Sequence, residues 1–404
     1  MKLLHTSDWH IGRLLYGRKR YREFESFLNW LVDHIDTAGI DILVIAGDVF
    51  DTTTPSNRAQ ALYYQFLRRV GTTACSHVVV VGGNHDSPSF LDAPGQLLKA
   101  LNVHVVGAMP QEPADEILTL KDDQGNPLAR ICAVPYLRDR DIRTTAPGEA
   151  VEEKTQKLIR GIGAHYHQVG ELALADHDSQ IPLVATGHLF AAGGRVEEGD
   201  GVRELYIGSL ARVGIDAFPK DFDYVALGHL HVAQAVGGTE HIRYCGSPIP
   251  MGFGEARQTK TLIQVEFDGR TPEITKIPIP CFQALEPVKG ELKEILARIE
   301  TLKAEESTAW LEVEYTGESL AADLREQVEA AVEDSAMEIR RIRNRRQVKE
   351  MIQTPQEGLD QLDEAQVFQR LLDAAGIPDP EQDALRHTYG ELIKEMQEKD
   401  TRAQ

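Results

Sequence analysis

The stretch HTSDWHIG, residues 5–12, follows an apolar start, MKLL, that predicts a first β-strand. The strand ends at an aspartate and a histidine two positions apart, Asp8 and His10. Two interpretations are open for this pair. It is either a polar turn that caps the next element or the first part of a metal site, and the rest of the chain has to decide between them.

Four later apolar runs end in the same kinds of residue. Their ends read GDVFD at 47–51, GGNHD at 82–86, TGHL at 186–189 and GHLH at 228–231. In an open α/β sheet, ligands bind beyond the carboxyl ends of the strands. We therefore expect five strand ends to bring Asp, His and Asn side chains into one region.

The same apolar runs predict the fold class. Up to about residue 270, strand-like runs alternate with helical spacing, as in residues 21–39, 57–70 and 93–101. Continuous apolar strands are buried on both faces, so we expect an α/β protein with a layered β-sandwich flanked by helices.

The pattern changes near residues 277–290. Strand, helix, strand, helix and strand follow in turn, which predicts a small α+β domain. We predict three domains: 1–275, 280–348 and a C-terminal helical tail over 360–400.

Composition fits a folded protein without a membrane span. The chain has 404 residues, with 42% hydrophobic and 26% charged, and no apolar run of about 18 residues. The N-terminal apolar stretch is too short for a signal peptide. The four cysteines form no CxxC pair, so we expect them to fill core space in a reducing cytoplasm.

The residue types at the strand ends indicate a particular metal chemistry. Imidazole and carboxylate together suit Mn, Fe, Zn or Co better than calcium. Two ions close together need a bridging carboxylate, and such a pair clamps a phosphate and neutralises charge during an in-line displacement. A histidine that binds no metal can protonate the leaving oxygen.

The motifs DWH, GDVFD, GNHD, GH and GHLH, in this order, resemble those of the calcineurin-like metallophosphoesterases. Within that superfamily, LLHTSDWHIG, AGDVFD, ALGHLH and YCGSPIPMGFGE are similar to a group of bacterial nuclease subunits that pair with a coiled-coil ATPase. The resemblance covers essentially the whole chain and implies the metallophosphoesterase fold, with the small second domain as a DNA-binding cap.

The resemblance also implies two sets of metal ligands that share a bridging aspartate, Asp48. The first set is Asp8, His10, Asp48 and His231. The second set is Asp48, Asn84, His188 and His229. Manganese is the expected metal, with iron, zinc and magnesium as alternatives.

His85 matches the histidine that acts on the scissile phosphate or its leaving group, and Asp51 is expected to take part in catalysis with it. Asp51 and Asp86 are both candidates to orient His85 by hydrogen bonding. Asp86 has an equally weighted alternative as the N-cap of the next helix. His5 is expected to be a core histidine.

Two basic clusters are candidates for DNA contact. One is GRLLYGRKRYRE at 12–23, and its alternative is a solvated helix start. The other is IRRIRNRRQVK at 339–349. The predicted DNA-binding residues are Arg13, Arg18, Lys19, Arg340, Arg341, Arg343, Arg345 and Arg346. The net charge of −20 argues only weakly against DNA, because the basic residues are concentrated in these clusters.

The function implied by the resemblance is two-metal hydrolysis of DNA. It comprises exonuclease action on double-strand ends and endonuclease action on single strands and hairpins, in replication, recombination and repair. ATP would come from the partner ATPase, since the chain has no GxxxxGK[ST] phosphate loop. The tail would dock on that partner, and two copies of the chain would form a homodimer within a heterotetramer in the cytoplasm, at the nucleoid. The alternatives are a phosphodiesterase for small molecules such as cyclic nucleotides and a DNA-end tether without catalysis.

Overall fold

The computed structural model describes residues 1–142, 150–175, 180–191, 194, 213–317 and 323–344, together with 382, 386 and 389. Its strands fall into two large sheets, a small sheet and a hairpin. In chain order they are β1 Lys2–Thr6, β2 Leu14–Leu15, β3 Arg18–Lys19, β4 Ile42–Ala46, β5 His77–Val81, β6 Val103–Val106, β7 Ile117–Lys121, β8 Pro127–Cys132, β9 Leu183–His188, β10 Tyr224–Gly228, β11 Gln234–Ala235, β12 Ile242–Tyr244, β13 Thr261–Asp268, β14 Thr271–Pro278, β15 Leu285–Gly290, β16 Trp310–Tyr315 and β17 Glu338–Asn344.

The helices of the described residues lie between these strands. They are α1 Tyr21–Ala38, α2 Asn57–Val70, α3 Pro88–Asp92, α4 Gly95–Lys99, α5 Asp139–Ile142, α6 Val151–Ala175, α7 Leu292–Ala304 and α8 Leu324–Val332. None of them is both long and apolar enough to span a bilayer.

Two six-stranded sheets form the first part of the chain. The first has the order β14-β13-β1-β4-β5-β6, and the second has the order β11-β12-β10-β9-β8-β7. The strands that carry the predicted site run parallel in each: β1, β4 and β5 in the first sheet, and β9 and β10 in the second. The antiparallel strands β13, β14, β11 and β7 lie toward the edges. Five strand ends therefore come from two sheets rather than one.

Three buried layers hold these sheets together. Leu3 and Val44 of the first sheet share a cluster with Tyr224 and Ala226 of the second, so this cluster lies between the sheets. Leu4, Leu43 and Val80 alternate along the strands of the first sheet with the residues of that cluster, so they lie on the other face of the sheet, where they pack with residues of α1 and α2. On the second sheet, residues such as Leu227 pack with α6. Because side chains alternate along a strand, burial on both faces requires the continuous apolar runs seen in the sequence. The predicted layered β-sandwich flanked by helices is confirmed.

The small sheet has the order β15-β16-β17 and alternates along the chain with α7 and α8. The predicted strand–helix–strand–helix–strand order after residue 280 is therefore present. The chain divides into two compact units, Met1–Pro287 with Lys303–Glu312 and Asp334–Arg341, and Val288–Leu302 with Val313–Glu333 and Ile342–Gln404. The predicted tail at 360–400 lies outside the described residues, apart from residues 382, 386 and 389.

Three local expectations differ from the structure. The helix expected at 93–101 is present but shorter, as α4, and a separate short helix, α3, precedes it, with Pro94, which has no N–H to donate, between the two. Most of the basic stretch at 12–23 is not a helix start, since β2 and β3 form a hairpin whose turn residues Tyr16 and Gly17 have φ of 44° and 80°, and only its last three residues begin α1. Cys281 is exposed, whereas the other three cysteines fill core space as expected.

His5 lies between the large sheets, fully buried, with its Nδ1 2.9 Å from the hydroxyl of Tyr224. It is a core histidine, as predicted. Burial, which disfavours the charged imidazolium, lowers the pKa of His5 to about 3, so the ring stays neutral at physiological pH.

The two large sheets come close together where β4 and β10 end. A Cβ placed on Gly228 would overlap the carbonyl oxygen of Ala46 and would lie 2.8 Å from Nδ1 of His188. That same carbonyl oxygen lies 2.9 Å from His188 Nδ1, which can donate to it. Only a residue without a Cβ permits this approach.

We expect Gly228→Ala to lower the free energy of unfolding by about 1–3 kcal/mol, because the added methyl group forces the two strand ends apart. Gly95→Ala is the matched control, since a Cβ there meets no atom within 4 Å and Gly95 lies in α4. That variant should be unchanged or slightly more stable. Urea unfolding of both variants checks the prediction, and equal stability of the two would contradict it.

Candidate metal centre

The loop after β1 is anchored by the tryptophan of DWH. Trp9 is fully buried, its indole Nε1 donates to Thr6 Oγ1 at 2.8 Å, and its ring packs edge-on against Phe27 and Phe66. On either side of it, Asp8 and His10 contact residues that follow β10. The DWH pattern therefore combines one core anchor with two site residues.

The backbone around the centre is held in the left-handed region. Among non-glycine residues of the described ranges, positive φ angles occur at eight positions, and four of them are predicted ligands. These are Asp8 at 54°, His10 at 47°, Asp48 at 51° and His229 at 102°. Such conformations cost free energy and persist only where the surroundings enforce them, and they concentrate at functional sites.

The first group of donors consists of Asp8, His10 and His231. One ligand atom from each lies within 4.8 Å of the others, and all three residues are buried. The Nε2 atoms of His10 and His231 are 3.3 Å apart. The carboxylate of Asp8 is fixed by Ser7 Oγ at 2.5 Å and by the backbone N–H of His229 at 3.0 and 3.1 Å.

The second group gathers around Asn84, whose side-chain Oδ1 lies 3.0 Å from His188 Nε2 and 3.0 Å from His229 Nδ1. Asp48 completes it, with Oδ2 3.2 Å from His188 Nε2. The same Oδ2 is 3.6 Å from His10 Nε2, so Asp48 stands between the two groups. Asp8 also groups with Asp48 and His188, which the sequence did not indicate.

The ionisation of the protein groups alone shows how strongly charged this region is. Burial favours the neutral ring of His188, but the Asp48 carboxylate outweighs burial and raises the pKa of His188 to about 9. Burial likewise opposes ionisation of Asp48, yet the neighbouring His188 and His10 hold its pKa well below the usual range. A buried carboxylate of this kind needs positive charge close by.

The donor atoms fit divalent metal ions. Imidazole nitrogens, carboxylate oxygens and one amide oxygen converge at spacings of 3.0–3.6 Å, and these donor types suit Mn, Fe, Zn or Co. The polar-turn interpretation of residues 5–12 does not account for this convergence, because a cap would not require side chains from five strands.

Asp51 contacts His85 through its backbone and not through its carboxylate. The backbone oxygen of Asp51 lies 2.9 Å from His85 Nδ1, which can donate to it. The Asp51 carboxylate instead lies 3.5 Å from His10 Nδ1 and 3.1 Å from Arg13 Nη1. Burial opposes its ionisation, but His10 and Arg13 lower the pKa of Asp51 to about 2.

Asp86 is not the N-cap of α3, because that role belongs to Ser87, whose Oγ accepts from the N–H of Phe90. The fully buried Asp86 carboxylate accepts the backbone N–H groups of Val49, Phe50 and Gly83 at 3.0–3.1 Å. Burial and the nearby Asp48 charge raise the pKa of Asp86 to about 6, against these hydrogen bonds. Asp86 thus ties the loop after β4 to the loop after β5.

His231 has a partner that the sequence did not reveal, Glu255, which is the last residue of the motif YCGSPIPMGFGE. Glu255 is fully buried, and its Oε1 lies 3.4 Å from His231 Nδ1. Burial opposes its ionisation, but His231 and Lys260 lower the pKa of Glu255 to about 2.

The predicted DNA-binding arginines are largely paired with acidic side chains. Arg18 and Arg340 both contact Glu338, at 2.8 and 3.1 Å. Arg341 lies 3.6 Å from Glu312 and donates to the hydroxyl of Tyr16 at 3.0 Å.

Two further residues predicted to bind DNA, Lys19 and Arg343, are exposed. Arg13 is held at Asp51, as described above. Arg345 and Arg346 lie outside the described residues. Arg20, in the same basic stretch as Arg13, is buried against Glu23 and does not belong to an exposed basic surface.

Comparisons with known proteins agree with the geometry. A family model described as calcineurin-like phosphoesterase matches residues 1–233, and one described as type 5 capsule protein repressor C-terminal domain matches residues 281–375. Among curated relatives, the SbcD subunit of the nuclease SbcCD of Escherichia coli (strain K12) is 36% identical over 395 residues, covering 96% of this chain and 97% of the relative.

Two more distant relatives are SbcD subunits as well. The Rhodobacter capsulatus protein is 34% identical over 75% of this chain and 76% of its own length, and the Bacillus subtilis protein is 31% identical over 66% of each. The chain therefore belongs to the calcineurin-like phosphoesterases and, within them, to the SbcD family of nuclease subunits. It is a metal-dependent phosphodiester hydrolase, as the sequence predicted.

We expect Asp86→Ala to lower the free energy of unfolding by about 3 kcal/mol or more, because three backbone N–H groups lose their buried acceptor. Ser87→Ala, which removes the true N-cap of α3, should cost about 1 kcal/mol. Urea unfolding in chelator measures both. If the two variants lost similar stability, Asp86 would be acting as an ordinary cap and not as the link between the two loops.

Proposed function

We propose that this chain is the nuclease subunit of an SbcCD-type complex and that it hydrolyses phosphodiester bonds in DNA with two divalent ions. We propose exonuclease action on double-strand ends and endonuclease action on single-stranded and hairpin DNA, in replication, recombination and repair. The observation that carries the proposal is the convergence of nitrogen and oxygen donors, buried except for the half-buried Asn84 and His229, from five strand ends of two sheets.

The two ions would share the Asp48 carboxylate. The ligands proposed for the first are Asp8, His10, Asp48 and His231, and those for the second are Asp48, Asn84, His188 and His229. When bound, two such ions polarise a phosphate and offset the charge that develops during an in-line displacement. We propose manganese as the native metal, with iron, zinc and magnesium as the alternatives.

His85 is the proposed proton donor to the leaving oxygen. The hydrogen bond from its Nδ1 to the backbone oxygen of Asp51, at 2.9 Å, turns Nε2 away from that loop. Its backbone N–H donates to Asp48 Oδ1 at 2.8 Å, which fixes the distance between His85 and the bridging carboxylate. Asp51 therefore serves His85 as a positioning residue through its carbonyl group.

DNA would be held by the two basic clusters. The proposed contacts are Arg13, Arg18, Lys19, Arg340, Arg341 and Arg343, with Arg345 and Arg346 from outside the described residues. The exposure of Lys19 supports this proposal most directly. The arginines paired with acidic side chains would have to exchange that partner for a phosphate, so their contribution to affinity would be smaller.

The proposed partner is an SbcC-type ATPase with a coiled coil, and the proposed assembly is a heterotetramer that contains a homodimer of this chain. The relatives' description as subunits of SbcCD supports the partnership. ATP dependence would come from that partner, with residues 360–400 as its docking segment. We propose a cytoplasmic, nucleoid-associated location, where the DNA substrate is found.

The test is cleavage of an end-labelled duplex hairpin by the chain alone and with the ATPase partner and ATP, in Mn²⁺, Mg²⁺ or chelator. Bis-p-nitrophenyl phosphate is cleaved in parallel. Manganese-dependent DNA cutting that the partner and ATP stimulate is expected. Turnover of only the small ester, even with the partner, would favour a small-molecule phosphodiesterase.

We expect His85→Ala to slow DNA cleavage by about 10²–10⁴-fold, because the alkoxide leaving group then departs unprotonated. The loss should be much smaller with bis-p-nitrophenyl phosphate, whose leaving group is stable without a proton. The exposed His167→Ala on α6 is the control and should cleave both substrates normally. Equal losses of activity of His85→Ala on both substrates would contradict proton donation by His85. A biological role that survives His85→Ala would favour the alternative, a DNA-end tether without catalysis.

A further inference from the structure

An ion pair between Glu255 and Lys260 is buried behind the predicted ligand His231. Glu255 is fully buried and the Lys260 side chain is only 7% exposed. The Glu255 Oε2 atom accepts from Lys260 Nζ, from Ser247 Oγ at 3.1 Å and from the backbone N–H of Met251 at 3.0 Å. The Oε2 oxygen of Glu255 thus accepts three hydrogen bonds, none of them from the ring of His231.

Lys260 is equally constrained. Besides Glu255, three acceptors lie within hydrogen-bond distance of its Nζ and share its three protons with that carboxylate: the backbone oxygen of His231 at 3.2 Å, Ser247 Oγ at 3.0 Å and Gln258 Oε1 at 3.0 Å. The lysine therefore holds both the backbone of His231 and the carboxylate that faces the ring of His231.

The other carboxylate oxygen faces the imidazole. Glu255 Oε1 lies 3.4 Å from His231 Nδ1, while His231 Nε2 points to the first donor group and lies 3.3 Å from His10 Nε2. A proton on Nδ1 directed at a carboxylate leaves the Nε2 lone pair available to a metal. Such outer partners fix the orientation of a metal-binding imidazole and raise its basicity.

We propose that Glu255 is a positioning residue for His231, and that Lys260 holds the Glu255 carboxylate in place so that Nε2 of His231 faces the first metal position. This inference rests on the proposed function, since it requires His231 to be a metal ligand. It adds two residues that neither the motifs nor the family matches assign.

His10, the other imidazole of the first group, has the same arrangement. Its Nδ1 lies 3.5 Å from Asp51, and the Asp51 carboxylate is paired with Arg13 at 3.1 Å. In the second group, by contrast, His188 Nδ1 lies beside a neutral backbone oxygen, that of Ala46. Carboxylate–cation pairs therefore stand behind the histidines of one metal position, and the loss of Glu255 should affect that position selectively.

The experiment is titration of the metal-free full chain with Mn²⁺, followed by calorimetry and by the EPR signal of free Mn²⁺. We expect the wild type to bind two ions and Glu255→Gln to bind one of them about 10–100-fold more weakly, with the other unchanged. Glu116→Gln is the matched control, because Glu116 is also fully buried and lies 2.8 Å from a histidine, His165, outside the centre. It should lose stability but bind Mn²⁺ like the wild type.

Glu255→Gln leaves the buried Lys260 without its counter-charge, which destabilises the fold whatever the role of Glu255 at the metal. The double variant Glu255→Gln/Lys260→Met removes both charges together and should show the same selective loss. If neither variant folds, the ring ¹⁵N chemical shifts of His231 in the metal-free wild type show which ring nitrogen carries the proton. The His231 signal is the one that is missing from the spectrum of His231→Gln. The proposal expects a proton on Nδ1.

Two ions bound with wild-type affinity by folded Glu255→Gln, or a proton on Nε2 of His231, would overturn the inference and leave the proposed function intact. A wild-type chain that binds no Mn²⁺ would instead contradict the proposed function. Equal weakening in Glu255→Gln and Glu116→Gln would show that Glu255 acts only on stability.

Discussion

The buried carboxylate of Asp48 is the group on which the rest of the centre depends. It is only 2% exposed, it follows β4 in a left-handed backbone conformation, and its two oxygens face different elements. One accepts the N–H of His85, and the other stands between His10 and His188. Burying such a charge is costly unless it is compensated, so donors from both sheets have to meet there. The close approach of β4 and β10 at Gly228 makes that meeting possible.

Some of the acidic side chains around the centre have a specific opposite charge beside them, whereas Asp86 is held by backbone N–H groups. Asp51 has Arg13, and Glu255 has Lys260. On the more exposed surface, Glu338 engages both Arg18 and Arg340. In a chain of net charge −20, local pairing of this kind limits the free positive charge available to DNA. The basic clusters of the sequence therefore overstate the number of unpaired cations.

The sequence predicts much of the fold and of the centre, because strands buried on both faces are recognisable and their polar ends stand out. Asp8, His10, Asp48, Asn84 and His188 are all visible in this way. It does not predict that Asp86 anchors two loops, since that depends on which backbone N–H groups come close in space. Nor does it predict the hairpin at Tyr16, the break at Pro94 or the pair Glu255–Lys260. These depend on turn geometry and long-range packing, which single-residue patterns do not record.

The most direct test of the account is a crystal structure of the full chain soaked in Mn²⁺, with anomalous data collected at the manganese edge. The account predicts two anomalous peaks, one contacted by Asp8, His10 and His231 and the other by Asn84, His188 and His229, with Asp48 contacting both. A single peak that Asp48 does not touch, or peaks away from these side chains, would contradict it.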